Sequence, residues 1–198
     1  MLKFINETKI YMKKTKDEYQ RESVQAIINN PFNSLIIAAT GVGKSKIAID
    51  FCKLFDKKAK ILLVVPTEEL RDENWKAEFK TWNQLKFYED NIERCCYASL
   101  NKLKNKIYDL VILDEIQHIT ANNFEFFNQN KVNKILALTA TEPAEFAKKD
   151  LLKKLKLVTV TNISIDEAVE NELISPFEII IVDCYLDDKL KYLPFGSK

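Results

Sequence analysis

Apolar residues along this chain fall into short, almost unbroken runs, separated by stretches in which they recur every third or fourth position. SLIIAA (34–39), KILLVV (60–65), YDLVILDE (108–115) and KILALTA (134–140) have too few polar positions to expose one face, which is the pattern of strands buried on both sides. Between them, 17–29, 44–55, 67–82 and 142–155 carry helical spacing, with Thr67 placed to cap the third of these and Pro143 near the first turn of the fourth. Shorter segments continue the alternation: strands at 92–99 and 156–161, helices at 123–130 and 164–172, and a β-rich run at 177–186. Asn30-Pro31 and Pro66 punctuate element ends. Strand–helix alternation with apolar strands predicts an α/β fold, a parallel sheet sandwiched by helices. In such sheets the working loops lie beyond the C-terminal strand ends.

One of those loops is marked by composition. The chain has only three glycines, and Gly41 and Gly43 stand two residues apart between a predicted strand and a predicted helix. The segment AATGVGKS (38–45) fits the phosphate-loop pattern GxxxxGK[ST] except at its first position, which is Ala38. In a turn through Thr40, Gly41, Val42 and Gly43, successive backbone N–H groups point inward around phosphate oxygens, and the helix N-terminus adds positive potential. Lys44 reaches the β and γ phosphates, and Ser45 offers a hydroxyl to Mg²⁺. About seventy residues on, the strand within 108–115 ends in Asp114 and Glu115. One carboxylate suits Mg²⁺, which keeps most of its waters, and the next residue can orient or deprotonate an attacking water. The expected cofactors are therefore ATP and Mg²⁺.

Charge alone gives no partner. Thirty basic and 29 acidic side chains leave a net +1, so a nucleic-acid partner has to be argued from motifs. Four cysteines without metal-ligand spacing, and a single histidine, argue against a zinc site and for reduced, buried thiols in an intracellular, cytoplasmic protein. No signal peptide or membrane-length apolar stretch is present, so no membrane partner is expected.

Taken in order, these segments resemble superfamily 2 helicases and translocases, over about residues 17–182 and closest to the DNA-repair and type III restriction-enzyme branch. DEYQ (17–20) looks like the adenine-reading element, which implies a base contact for Gln20. AATGVGKS resembles motif I, where Ala or Pro often stands in place of the first glycine. VVPTEEL (64–70) looks like motif Ia, which implies backbone contacts to nucleic acid from Pro66 and Thr67. DEIQH (114–118) is similar to the DEAH-type motif II, and implies that Gln117 and His118 lie between the γ-phosphate and motif III; either could make that contact. LTATEP (138–143) looks like motif III, which implies that Thr139, Ala140 and Thr141 couple the ATP site to the strand-binding surface. Arg71 either adds charge to that surface or belongs to a solvated helix face. Trp75 and Trp82 read as packing residues rather than base-stacking platforms.

The resemblance implies a RecA-like ATP-binding domain over 17–175, preceded by an arm (1–16) and followed by a linker (176–198) toward a second RecA-like domain, supplied in cis or in trans. The expected activity is a nucleic-acid-dependent ATPase, weak without that second domain, with DNA preferred to RNA. A nucleotide-gated interaction module without motor activity is the alternative of a different class. A small P-loop kinase is a third, but no lid-like basic insertion follows the core.

Overall fold

The sheet orders its strands so that the two chemically marked loops flank one crevice. The computed structural model describes residues 13–141 and 146–176; the first twelve residues of the expected arm and the expected β-rich run at 177–186 lie outside them. Helix α1 (Lys16–Asn29) opens with a reciprocal capping box, in which the Thr15 hydroxyl accepts from the Glu18 N–H and the Glu18 carboxylate accepts from the Thr15 N–H. The chain continues through β1 (Asn33–Ala38), α2 (Lys44–Cys52) and β2 (Ile61–Val65). A five-residue π turn (Leu70–Asn74) leads into α3 (Trp75–Thr81), followed by α4 (Leu85–Asn91) and β3 (Ile92–Cys96). After these come β4 (Ile107–Tyr108), β5 (Leu110–Leu113), α5 (Phe124–Gln129), β6 (Lys131–Val132), β7 (Ile135–Thr139), α6 (Phe146–Lys154), β8 (Leu157–Ile163) and α7 (Ile165–Glu170).

Six strands form a sheet in the order β3-β2-β5-β7-β1-β8, with every pair parallel. Strands β1, β2, β5 and β7 are buried almost along their whole length, which explains their unbroken apolar runs. Alternate residues point to opposite faces, so two cores form. Ile36, Leu63, Ile112 and Leu138 join one, under α1, α2 and α3, while Leu35, Leu62, Val111 and Ala137 join the other, with Tyr108, Phe126 and Leu155. The α/β prediction holds.

Several boundaries differ from the pattern, for local reasons. The expected strand 108–115 is broken at Asp109, whose carboxylate accepts from the Lys60 N–H, leaving β4 to pair with β6 as a separate two-stranded ladder. The expected strand 92–99 ends at Cys96, where the chain tightens into a 3₁₀ turn over Tyr97–Lys102. The expected helix 67–82 is interrupted by the π turn, and α4 follows it as a helix that the periodicity does not announce. Cys52, Cys95 and Cys96 are buried free thiols, with burial pushing Cys52 and Cys95 up to about 12. Among the described residues no helix is long and apolar enough to cross a membrane.

Candidate functional site

Strand β7 separates β1 from β5, so the tips of β1 and β5 stand about 10 Å apart at the usual inter-strand spacing. That gap is the crevice. It has a volume of about 370 Å³, and Gly41, Lys44, Ser45 and Asp114 all line it. Two segments about seventy residues apart in sequence thus meet at one point, beyond the carboxyl ends of the strands.

The loop leaving β1 is shaped by its glycines. Gly41 and Gly43 have φ of +92° and +100°, in the left-handed region that side chains disfavour. Both sites are also crowded. A Cβ on Gly41 would lie 3.1 Å from Ile174 Cγ2, and one on Gly43 would collide with Gln20 Nε2. Between them, Val42 sends its side chain into the core, fully buried, and leaves its backbone to the loop. Thr40 is exposed at the rim. Gly43→Ala is therefore expected to lower stability by about 2 kcal/mol, combining backbone strain with displacement of Gln20. Thermal denaturation should fall by roughly 4–8 °C. Adding Gln20→Ala should recover part of that loss, which a double-mutant cycle measures; strict additivity would show that the crowding is unimportant.

Lys44 opens α2, and its ammonium donates to the Ala38 carbonyl at 3.0 Å, folding back across the loop. Burial pulls its pKa down, against the attraction of Glu115 and Asp114. Gln20, from α1, is buried and donates to the Val42 carbonyl at 3.0 Å. It reaches the cleft while tied to the backbone of the phosphate loop.

The opposite wall is the tip of β5. Asp114 is held at three points: its N–H donates to the Val64 carbonyl (2.9 Å), its carbonyl accepts from the Tyr97 hydroxyl (2.9 Å), and its Oδ2 accepts from the Trp75 indole N–H (2.8 Å). Burial lifts its carboxyl above the usual range, opposed by the Trp75 hydrogen bond and the Lys44 charge. Glu115 follows with φ +48°, ψ +61°, a conformation that a non-glycine residue holds only when its surroundings impose it.

A hydrogen-bonded chain runs from Glu115 to the tip of β7. The Gln117 amide donates to Glu115 Oε2 (2.8 Å), and Gln117 Oε1 lies 2.8 Å from the Thr139 hydroxyl. That hydroxyl is also 2.8 Å from the Thr141 carbonyl, so its one proton serves either acceptor. Gln117 thus bridges the two strand tips. His118 is exposed and faces a separate hollow beside Pro66, Tyr97 and Thr120. Ala140 is half-buried and Thr141 exposed beyond β7. Thr67 caps the turn after β2, accepting from the Leu70 N–H at 3.3 Å. The Arg71 guanidinium is neutralised locally, by a two-pronged contact to Asp72 (2.8 and 2.7 Å) with Glu68 at 3.9 Å.

Sequence reasoning missed Trp75, Tyr97 and Asn123 as supports of the site. Asn123 is buried and accepts from the Thr120 N–H while donating to the Tyr97 carbonyl, so it braces the residue that braces Asp114. The Trp75–Asp114, Tyr97–Asp114 and Asn123–Tyr97 contacts join residues distant in sequence, and the one local signal is the Thr120-x-x-Asn123 spacing of a capping box.

The residues present fit a magnesium nucleotide. The loop offers backbone donors and one ammonium for phosphates. Among the described residues no three metal-ligating side chains cluster, so a cation here would rely on Ser45, Asp114, water and phosphate oxygens, the donor set Mg²⁺ favours.

Comparison with known proteins places this arrangement. No protein of curated function matches the chain. Among solved structures, the helicase domain of Hef from Pyrococcus furiosus superposes with a TM-score of 0.54 at 16% identity, covering 77% of this chain and 38% of that one. The type ISP restriction-modification enzyme LlaGI, solved with a DNA substrate mimic, gives 0.55 at 15% identity, covering 80% and 20%. The SWI2/SNF2 ATPase core of Sulfolobus solfataricus, solved with double-stranded DNA, gives 0.50 at 16%, covering 73% and 43%. The chain spans less than half the length of each, and at these identities the likeness shows the fold, that of RecA-like helicase cores. A family profile is more specific: it matches residues 13–144, from the start of α1 past the tip of β7. The chain belongs to the family described as type III restriction enzyme, res subunit, within the superfamily 2 helicase-like ATPase domains.

Proposed function

We propose that this domain binds ATP with Mg²⁺ in the crevice between the β1 and β5 tips and hydrolyses it in a cycle coupled to DNA. The observation that carries this reading is the shared cleft of Lys44, Ser45 and Asp114, with Glu115 next in chain to Asp114. The backbone of 40–45 and the Lys44 ammonium would hold the β and γ phosphates. Ser45 and Asp114 would hold the ion, which when bound neutralises phosphate charge. Glu115 would accept the proton of the water that attacks the γ-phosphorus as the bond to ADP breaks. Gln20 would meet the adenine edge, anchored as it is beside the phosphate loop.

The coupling surface would comprise Pro66, Thr67, Thr139, Ala140 and Thr141, at the same sheet edge. A translocase has to hold any sequence, and small hydroxyls and backbone amides on phosphates suffice for that. Two of the similar structures were solved with DNA bound, which favours DNA over RNA. A second RecA-like domain, in cis or in trans, would complete the ATP site, so turnover by this domain alone should be slow.

Calorimetric titration with ATP, with and without Mg²⁺, tests the reading, followed by filter binding of single-stranded DNA, duplex DNA and RNA. The expected result is Mg²⁺-dependent ATP binding and preferential retention of DNA. No ATP binding at millimolar concentration would overturn the nucleotide assignment, and equal retention of RNA would overturn the DNA preference. Tight ATP binding with no turnover under any partner would replace the motor reading with a nucleotide-gated interaction module.

A further inference from the structure

Trp75 is almost wholly buried, yet its indole N–H, which can only donate, points at a carboxylate oxygen 39 residues further along the chain. The distance to Asp114 Oδ2 is 2.8 Å. The backbone around it is unusual. The Trp75 N–H donates to the Leu70 carbonyl five residues back, closing the π turn at 70–74. Such a turn inserts one residue into a helix, rotates everything after it and disturbs the usual carbonyl pairing. Here the Arg71 carbonyl accepts from the Tyr88 hydroxyl at 2.5 Å. Tyr88 stacks on Phe79 (ring centroids 4.8 Å apart), and Phe79 packs against Trp75 (6.1 Å). The turn, the two aromatic rings and the indole form one braced unit that ends on Asp114.

We propose that Trp75 is a positioning residue for the metal-side carboxylate: its N–H occupies Oδ2 and fixes the Asp114 rotamer, so that Oδ1 serves the Mg²⁺ shell. This rests on the nucleotide reading above. Neighbours that orient a metal ligand typically matter about 10–100-fold in metal affinity, and the same scale is expected here.

The test is the Mg²⁺ concentration at half-maximal binding of a fluorescent ATP analogue, followed alongside binding of the same analogue in EDTA. Trp75→Phe should raise the Mg²⁺ midpoint about tenfold or more and leave the EDTA affinity unchanged. Trp75→His, which keeps a ring N–H, should recover part of that shift. A purely packing role predicts equal loss in both conditions, or a lower melting temperature with no change in the Mg²⁺ midpoint; either overturns the proposal. If Trp75→Phe fails to fold, benzothienylalanine, which replaces the indole N–H by sulfur in the same ring shape, is introduced at position 75 in a Trp82→Phe background and compared with that background. An unchanged midpoint there overturns the proposal equally. If the parent protein itself shows no Mg²⁺-dependent binding, the nucleotide reading falls first, and the two failures are thereby distinguished.

Discussion

Lys44→Ala should abolish nucleotide binding while leaving the fold intact. Among the described residues the side chain donates only to the Ala38 carbonyl across the loop, so its loss removes one partly buried hydrogen bond and one desolvated charge, two changes that oppose each other in stability. The melting free energy should stay within about 1 kcal/mol of the parent. Toward ATP the balance is one-sided. A point charge bonded to two phosphates contributes about 1.5–3 kcal/mol per contact, so affinity should fall about hundredfold or more. Calorimetry with ATP and a thermal melt on the same sample separate the two effects. A variant that binds ATP as tightly as the parent would remove the phosphate assignment.

Glu115→Gln should do the reverse: nucleotide stays bound and its cleavage stops. The replacement has the same shape, and a glutamine at φ +48° bears the same backbone strain as the glutamate it replaces. The Gln117 amide that donates to Glu115 Oε2 finds an amide oxygen in its place, so the bridge to Thr139 persists. What disappears is a group able to take a proton from water, and general-base loss costs about 10²–10⁴-fold in turnover. Phosphate release measured beside ATP affinity checks this. A hundredfold loss of affinity, or an unchanged rate of cleavage, would assign Glu115 to structure instead.

Much of this site is legible in the sequence because its physics is local. A left-handed turn between a buried strand and a helix requires glycine, and Gly41 and Gly43 stand out in a chain that otherwise nearly dispenses with it. Strands covered on both faces require unbroken apolar runs, and β1, β2, β5 and β7 have them. What stays hidden depends on partners brought from elsewhere. The π turn exists where Tyr88 supplies a hydroxyl, and α4, which carries Tyr88, has only seven residues and no side-chain cap to announce it. Trp75 reads as core by composition and spacing, and it is core; its second role follows from the direction of one N–H bond. Likewise the sequence leaves Gln117 and His118 equivalent, while the fold turns the first toward Thr139 and the second toward the hollow beside Pro66.

Ile174 follows α7 and touches the phosphate loop so closely that a single methyl on Gly41 would have to push it aside. The phosphate loop at Gly41 and the chain just past α7 therefore face each other with no room for an added carbon between them. A shift of Gly41 toward Ile174 would have to displace that side chain, so the residue just past α7 limits how far the loop can swing in that direction around an incoming guest.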